Sequence, residues 1–243
     1  MVVFYLFGAN CFNIAFILPF TGFFIYKILN KIHLSPFYHK CTIFLSAYIS
    51  INLAAFFTAL ELGIQPLLFV DNLAQPLYCP YPLWISIPAM ALSHLTIAGI
   101  AEGLFTLSLY LFILKTSPNI IYDSQQIKLN SIFSLLAFLI IISPIGLIAE
   151  GTAWGEWAPE EILNDTSSGV SLGFIPEKLL NGFNYEAFFP DYTMSGTTDI
   201  LAYIASAIIG VALLIIIFKI LGSIIYAKKT ITLIILLKFL NGF

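Results

Sequence analysis

Two ionisable residues in one long apolar run are the strongest candidates for chemistry in this sequence. His94 and Glu102 lie eight residues apart between Leu83 and Leu114. In an α-helix that spacing is about two turns and roughly 80° on the circumference, so both side chains can face one interior. If the run crosses a bilayer, each ionisable group costs roughly 2.5 to 3.5 kcal/mol and needs a partner or a purpose. The pair therefore indicates a proton or cation path, a contact with a partner subunit, or two neutral side chains bonded to neighbouring helices.

Amide side chains are the next polar feature of the apolar runs. Asn10 and Asn13 are three residues apart and share one helical face. Such amides hydrogen-bond across membrane helices for under about 1 to 2 kcal/mol each, and they can also contact a ligand. Asn52 is interpreted in the same way. His33 and His39 have lysine neighbours and no other metal-ligating residues nearby, so we expect both to be solvated.

A third feature is the run AEGTAWGEWAPEE, from Ala149 to Glu161, which combines four carboxylates with two tryptophans. Tryptophans anchor at the level of the lipid headgroups while carboxylates stay in water, which predicts an interfacial helix. The alternative is a cation site, which needs several carboxylates to converge on one point.

Motifs of catalysis are absent from the sequence. It contains no GxSxG, HExxH, P-loop or GxGxxG pattern, and its three cysteines form no CxxC pair. We therefore predict that the chain is not an enzyme. An intramembrane acid-base pair made of Glu102 and His94 is the remote alternative.

The composition determines which elements position these residues. Of the 243 residues 60% are hydrophobic and 9% are charged, which excludes a soluble domain, and a net charge of −3 offers no broad basic surface for nucleic acid. A span needs about 20 apolar residues, and five stretches satisfy this requirement. They predict an all-α, polytopic membrane helix bundle with these helices: A (Gly8 to Leu29), B (Cys41 to Leu62), C (Leu83 to Leu114), D (Leu129 to Ala149) and E (Ile200 to Tyr226). Pro19, Pro88 and Pro144 are expected to bend helices A, C and D.

Lysines predict the orientation of the bundle, because cytoplasmic loops carry the positive charge. They flank the A to B and C to D connections and follow helix E, whereas residues 150–199 hold nine of the thirteen acids and a single base, Lys178. The N-terminus and the long loop are therefore expected outside the cell and the C-terminus in the cytoplasm. The predicted domains are 1–149, a membrane domain with helices A to D; 150–198, an extracytoplasmic loop; 199–227, a C-terminal transmembrane helix; and 228–243, a cytoplasmic or interfacial tail.

Several segments resemble the membrane substrate-capture subunits of energy-coupling-factor cobalt and nickel transporters, the CbiM/NikM group. They are GANCFNIAFILPFTGFFIYKIL (Gly8 to Leu29), HLTIAGIAEGLFT (His94 to Thr106), SPIGLIAEGTAWGEWAPEEI (Ser143 to Ile162) and FFPDYTMSG (Phe188 to Gly196). The last segment resembles the lead-in to the extra C-terminal span of the fused forms, in which this span replaces a small accessory subunit.

The resemblance implies a function without catalysis. Members of the group hold a divalent metal ion in the membrane. They release it when a transmembrane coupling subunit reorients them, and two cytoplasmic ATPases drive this movement. The resemblance thus implies that Co²⁺ or Ni²⁺ is transported and that no cofactor is bound permanently. It also implies that the protein lies in the plasma membrane, in contact with lipid. Gly99 and Gly103 form a GxxxG pattern, and we expect a coupling subunit to grip such a small-residue face.

The metal ligands of the group have no counterpart in this sequence. The relatives begin Met-His and use their amino end, that His and a further upstream His, whereas this chain begins Met1, Val2 and joins the pattern at Gly8. We therefore expect the N-terminal part of the family pattern to be missing, and we assign no metal ligand. A structural or assembly subunit without its own metal site is the competing hypothesis.

Overall fold

The computed structural model describes the backbone of residues 3–31, 35–118, 129–148, 154, 157, 159–164, 169, 171–181 and 189–240. Side chains are described for the same residues except 3–7, 129, 160, 191 and 225–240. The α-helices of this part are α1 (Val3–Phe12), α2 (Leu18–Leu29), α3 (Pro36–Leu68), α4 (Leu83–Ser93), α5 (Gly99–Thr116), α6 (Leu129–Ile142), α7 (Pro159–Asn164), α8 (Glu177–Leu180) and α9 (Asp199–Leu240). Two π turns, Asn13–Ile17 and His94–Ala98, join α1 to α2 and α4 to α5.

Five stretches of the described chain are long and apolar enough to cross a bilayer. They are Gly8–Leu29, Pro36–Leu68, Leu83–Thr116, Asn130–Ile148 and Asp199–Ile224. Many of their large apolar side chains are exposed, which suits contact with lipid and would be costly in water. The chain is therefore a multi-pass membrane protein, and the predicted all-α bundle with five spans is confirmed.

α3 extends further at both ends than the predicted helix B. Pro36 occupies its first position, and the Ser35 hydroxyl accepts a hydrogen bond from the Tyr38 backbone N–H at 3.2 Å. This Ser-Pro cap starts the helix five residues before Cys41. Its 33 residues correspond to about 50 Å. α3 is thus longer than the hydrocarbon core is thick, about 30 Å.

The predicted bends at proline take different local forms. Pro19 follows a π turn in which the Leu18 N–H bonds to the Asn13 carbonyl, and this wider turn makes room where the proline ring would crowd the preceding carbonyls. α4 runs through Pro88 to Ser93. Pro144 lies in a 3-10 turn, Ser143–Ile148, which replaces the end of the predicted helix D.

One unit of the chain comprises residues within 1–128 and 151–185, and α3 is its centre. α3 packs against α2, α4 and α5, and its buried residues include Ala54, Ala55 and Ala59. Small side chains let helix backbones approach closely in a membrane. Polar bonds add to the contact, since the Ser86 hydroxyl donates to the Ala59 carbonyl at 2.9 Å.

Loops of the same unit fold together into a small apolar core, which we call the cap and define as residues 69–82 with the described residues of 154–181. Its buried cluster contains Leu62 at the end of α3 and five cap residues: Cys79, Tyr81, Trp157, Ile162 and Leu179. The Lys178 N–H donates to the Leu77 carbonyl at 3.0 Å and joins the two loops.

The position of Trp157 in the cap differs from the prediction that the tryptophans of Ala149 to Glu161 anchor in the lipid headgroups. Trp157 is 8% exposed and packs edge-on against Tyr81, with ring centroids 5.2 Å apart. It contacts protein, so it does not anchor in the headgroups as predicted. Glu150 and Glu156, and the side chain of Glu160, lie outside the described residues, so the alternative of a carboxylate cation site there stays a prediction.

A second unit comprises residues within 129–150 and 186–243. Contacts therefore group α6, the predicted helix D, with α9 rather than with the preceding spans. In this unit the rings of Tyr192 and Tyr203 lie 5.0 Å apart. The backbone of α9 continues through Thr230–Leu240, the segment expected in the tail.

Candidate functional site

A cavity of about 410 Å³ lies between the helices of the first unit. We call it the Asn13–His94 cavity. The side chains around it come from α1, the two π turns, α3, α4 and the cap, and they are Asn10, Asn13, Ile14, Ile51, Ala54, Ala55, Thr58, Leu62, Ala89, Met90, Ser93, His94 and Trp154. Three of the four predicted site residues therefore lie around one space, and His94 faces the same cavity as the two asparagines.

Asn13 is fully buried, and its amide joins α3 to the first span. Its Nδ2 donates to Thr58 Oγ1 at 3.0 Å and to a carboxylate oxygen of Glu61 at 2.7 Å. Its Oδ1 is buried and has no hydrogen-bond partner among the described residues. Nearly all buried polar atoms in proteins have a partner, so this oxygen calls for an explanation.

Glu61 is a residue that the sequence analysis missed. It lies next to Leu62, where the predicted helix B ended, and a carboxylate at the end of a span is ordinary. The structure extends α3 to Leu68 and brings Glu61 to Asn13, 48 residues away in sequence. The signal that could have found it is an acidic residue inside a continuous apolar helix.

His94 has one ring nitrogen engaged by its own helix. Its Nδ1 lies 2.9 Å from the Met90 carbonyl and 3.0 Å from the Ser93 hydroxyl. A carbonyl only accepts, so Nδ1 carries the proton in the neutral ring and Nε2 presents a lone pair. This arrangement is typical of histidines that bind metals, whose second nitrogen is fixed by a carbonyl or a carboxylate.

Glu102 lies elsewhere. It lines a second cavity of about 390 Å³, the Glu102 cavity, which is surrounded by apolar and hydroxyl side chains of α2, α3 and α5. Its carboxylate accepts a hydrogen bond from the Thr106 hydroxyl at 3.2 Å. His94 and Glu102 are separated by eight residues, about 12 Å of helix, and they line two different cavities. They form no acid-base pair.

His39 also departs from its prediction. Instead of being solvated, its ring lies between helices, with Nδ1 3.0 Å from Asn30 Oδ1 and Nε2 3.1 Å from the Tyr110 hydroxyl. These bonds connect α3 with the end of α2 and with α5. His33 lies outside the described residues.

The predicted packing glycines lie against α3 of the same chain. A Cβ at Gly103 would lie 2.6 Å from the Phe44 ring, and one at Gly99 would lie 2.6 Å from Asn52 Nδ2. Both glycines are buried. The expectation that a coupling subunit grips this face is wrong, because α3 already covers it.

Comparison with protein families divides the chain into two regions. Residues 4–120 match the CbiM family, described as a cobalt uptake substrate-specific transmembrane region. Residues 129–227 match the PDGLE domain. The boundary between the two models precedes α6, in keeping with the grouping of α6 with α9 in one unit.

Two curated relatives match most of the chain. A probable fused nickel transport protein of Lactiplantibacillus plantarum is 37% identical over 88% of this chain, and the fused nickel transport protein NikMN of Rhodobacter capsulatus is 35% identical over 86%. The chain spans 64% and 65% of the lengths of these two relatives. These names describe transport proteins, in agreement with the prediction that the chain is not an enzyme.

A solved structure described as a truncated transition metal transporter is 44% identical in sequence, covering 45% of this chain and 50% of its own, with a TM-score of 0.42. That score is too low for the superposition to support a conclusion about the fold. The family assignment depends on the sequence matches, which cover both spanning regions in order. Residues 4–120 of this chain are therefore a CbiM region, and residues 129–227 are a PDGLE domain that follows it.

Proposed function

We propose that this chain is the substrate-specific membrane part of an importer of divalent nickel or cobalt. The observation that carries the proposal is the succession of a cobalt-uptake CbiM region and a PDGLE domain on one chain, together with two relatives named as fused nickel transport proteins. The transported ion is a substrate, and no permanent cofactor is required.

The chemistry of the first unit suits such a substrate. Ni²⁺ and Co²⁺ favour imidazole nitrogen, and they also accept oxygen donors. The Asn13–His94 cavity supplies an imidazole, two amides and two hydroxyls within an apolar bundle. Transport needs binding and release, and nothing in this cavity suggests bond breaking.

The source of energy lies in other polypeptides. The chain has no P-loop with which to bind ATP. From the resemblance to energy-coupling-factor transporters, we propose a transmembrane coupling subunit and cytoplasmic ATPase subunits as partners. We further propose that the chain lies in the plasma membrane with its N-terminus outside and its C-terminus in the cytoplasm, as its lysines predict.

Uptake in cells tests the proposed function. The chain is expressed together with the coupling and ATPase subunits encoded in its own genome, in a host whose nickel and cobalt importers are deleted. We expect accumulation of ⁶³Ni or ⁵⁷Co that disappears when the P-loop lysine of the ATPase is replaced by Ala. Cells that accumulate neither ion above the level of this inactive control would contradict the proposal.

A structural or assembly subunit is the second candidate function, and one observation favours it. The described residues contain no group of three or more His, Cys, Asp and Glu that could hold a metal ion. A pure assembly subunit would co-purify with the ATPases yet bind no ⁶³Ni in equilibrium dialysis, whereas a capture subunit does both.

A further inference from the structure

Exposed lysines gather at the end of the first unit where α2 ends and α3 begins, which we call the lysine end. They are Lys27 in α2, Lys31 in the turn after it, Lys40 in α3 and Lys115 at the end of α5. Residues 26–60 and 103–122, which include the parts of the three helices at this end, contain no acidic residue. The lysine end therefore carries positive charge that these segments do not balance.

His39 joins the three helices close to these lysines. Its Nδ1 lies 3.0 Å from Asn30 Oδ1, and its Nε2 lies 3.1 Å from the Tyr110 hydroxyl. Asn30 directly precedes Lys31, and His39 directly precedes Lys40. The bonds of one side chain thus bring together the backbone segments that carry the lysines.

The Glu102 cavity begins at the same place. Tyr26 and Tyr110 line it, and both rings lie edge-on to His39, with centroids 5.9 and 5.7 Å away. From there the cavity continues between α2, α3 and α5 as far as Glu102, which is two turns or about 12 Å of helix from Tyr110. A positively charged surface therefore adjoins a cavity with mainly apolar walls.

This combination fits an anionic phospholipid. Tyrosines are enriched at the level of the lipid headgroups, so Tyr26 and Tyr110 indicate that the lysine end lies where lipid phosphates are found. Each basic residue near an anionic membrane surface contributes a factor of about five to the affinity. A free phosphate would use the lysines alone, and an acidic protein would not need the cavity. A phospholipid supplies both a negative headgroup and an apolar chain.

We propose that the first unit binds an anionic phospholipid, with its phosphate against the lysine end and one acyl chain in the Glu102 cavity. The acyl chain enters beside Tyr26 and Tyr110 and packs between α2 and α5 on the surface of α3. The Glu102 carboxylate lies at the far end and keeps its hydrogen bond from the Thr106 hydroxyl.

Native mass spectrometry tests the headgroup. The full chain is purified in a neutral detergent and incubated with equimolar phosphatidylglycerol and phosphatidylcholine that have the same acyl chains. We expect at least about fivefold more phosphatidylglycerol to be retained. Lys31→Gln and Lys40→Gln together should weaken its binding at least about tenfold. Lys178→Gln, which removes a lysine of the cap, is the matched control and should leave binding unchanged.

Two results would overturn the headgroup site. One is equal retention of the two lipids by the wild type, and the other is equal binding of phosphatidylglycerol by the wild type and the double lysine variant. Either result would leave an acidic protein surface as the partner of the lysines.

Fluorescence quenching tests the acyl chain. Phe23 and Phe24 are neighbours in α2 and are 64% and 62% exposed, but Phe23 lines the Glu102 cavity and Phe24 does not. Phosphatidylglycerol with brominated acyl chains, added at a concentration equal to that of the protein in detergent, should quench Phe23→Trp more strongly than Phe24→Trp. Equal quenching of the two variants would overturn the placement of the acyl chain.

Competition separates a lipid from a free phosphate. Glycerol phosphate carries the negative charge of the headgroup without an acyl chain, and even a large excess should leave bound phosphatidylglycerol in place. Lysophosphatidylglycerol, which has one acyl chain, should displace it. Displacement by glycerol phosphate would show that the lysines bind phosphate alone, and it would overturn the lipid site.

Discussion

The two cavities of the first unit are almost equal in size and differ in chemistry. They measure about 410 and 390 Å³. The Glu102 cavity has one carboxylate, whose partner Thr106 lies one turn further along the same helix. The Asn13–His94 cavity has an amide that joins two helices and leaves its oxygen unpaired. The two cavities therefore have similar volumes and differ in how the polar side chains around them are paired.

The cavities also differ in what covers them. Trp154 lines the Asn13–His94 cavity and packs against the apolar cluster of the cap. The Glu102 cavity is lined by side chains of three helices alone.

The largest expected effect comes from the glycine beside Glu102. Gly103→Leu forces a side chain into the Phe44 ring on α3, and overpacking of this kind typically costs about 1 to 3 kcal/mol. Because α3 and α5 line the Glu102 cavity, that cavity should collapse first. Thermal unfolding in detergent measures the loss. Gly210→Leu in α9, where a Cβ meets nothing within 4 Å, is the matched control and should change little.

The next effect concerns the thiol of Cys79 in the cap. Burial raises the pKa of Cys79 from 9.0 to about 11, so roughly a hundredfold less thiolate is present at pH 7.5. In a chain with Cys11 and Cys41 replaced by Ala, maleimide labelling should be slow at pH 7.5 and should accelerate as pH rises towards 11. Trp157→Ala should open the cluster and speed labelling. Fast labelling of Cys79 in the chain that keeps Trp157 would show that the cap does not cover the Asn13–His94 cavity.

The sequence predicted the spans because crossing a bilayer depends on local properties. Length and apolarity are enough to find a span such as Leu83–Thr116, and its ends agree within two residues with those of the predicted helix C. The Ser-Pro cap of α3 was also present in the sequence at Ser35 and Pro36, but the polar residues that follow it concealed the start of the span.

The partners of polar residues could not be predicted in the same way. Asn13 was identified from its residue type, yet its partner Glu61 lies 48 residues away, and His39 meets Tyr110 across 71 residues. Such pairs depend on how each helix is rotated and placed, and no local pattern encodes this. The π turns escaped prediction because apolar composition does not distinguish a π turn from an α turn.

A smaller effect distinguishes the amide from ordinary packing. Asn13→Leu removes the bonds to Thr58 and Glu61 and leaves the carboxylate without its donor, for about 1 to 2 kcal/mol of unfolding free energy. Adding Glu61→Leu should recover part of this loss, because replacing both partners by apolar groups is nearly neutral. SDS-induced unfolding of the two single variants and the double variant measures the coupling. Strictly additive losses would mean that the Asn13–Glu61 bond contributes nothing.

The smallest effect is expected in the Glu102 cavity. Thr106→Val keeps the shape of the side chain and removes the hydroxyl that donates to the carboxylate at 3.2 Å. Glu102 is only half-buried, so water can replace the lost donor, and the cost should be about 0.5 kcal/mol. SDS-induced unfolding of the wild type and of Thr106→Val measures the loss. A loss as large as that of Asn13→Leu would mean that Glu102 depends on this hydroxyl and that water does not replace it.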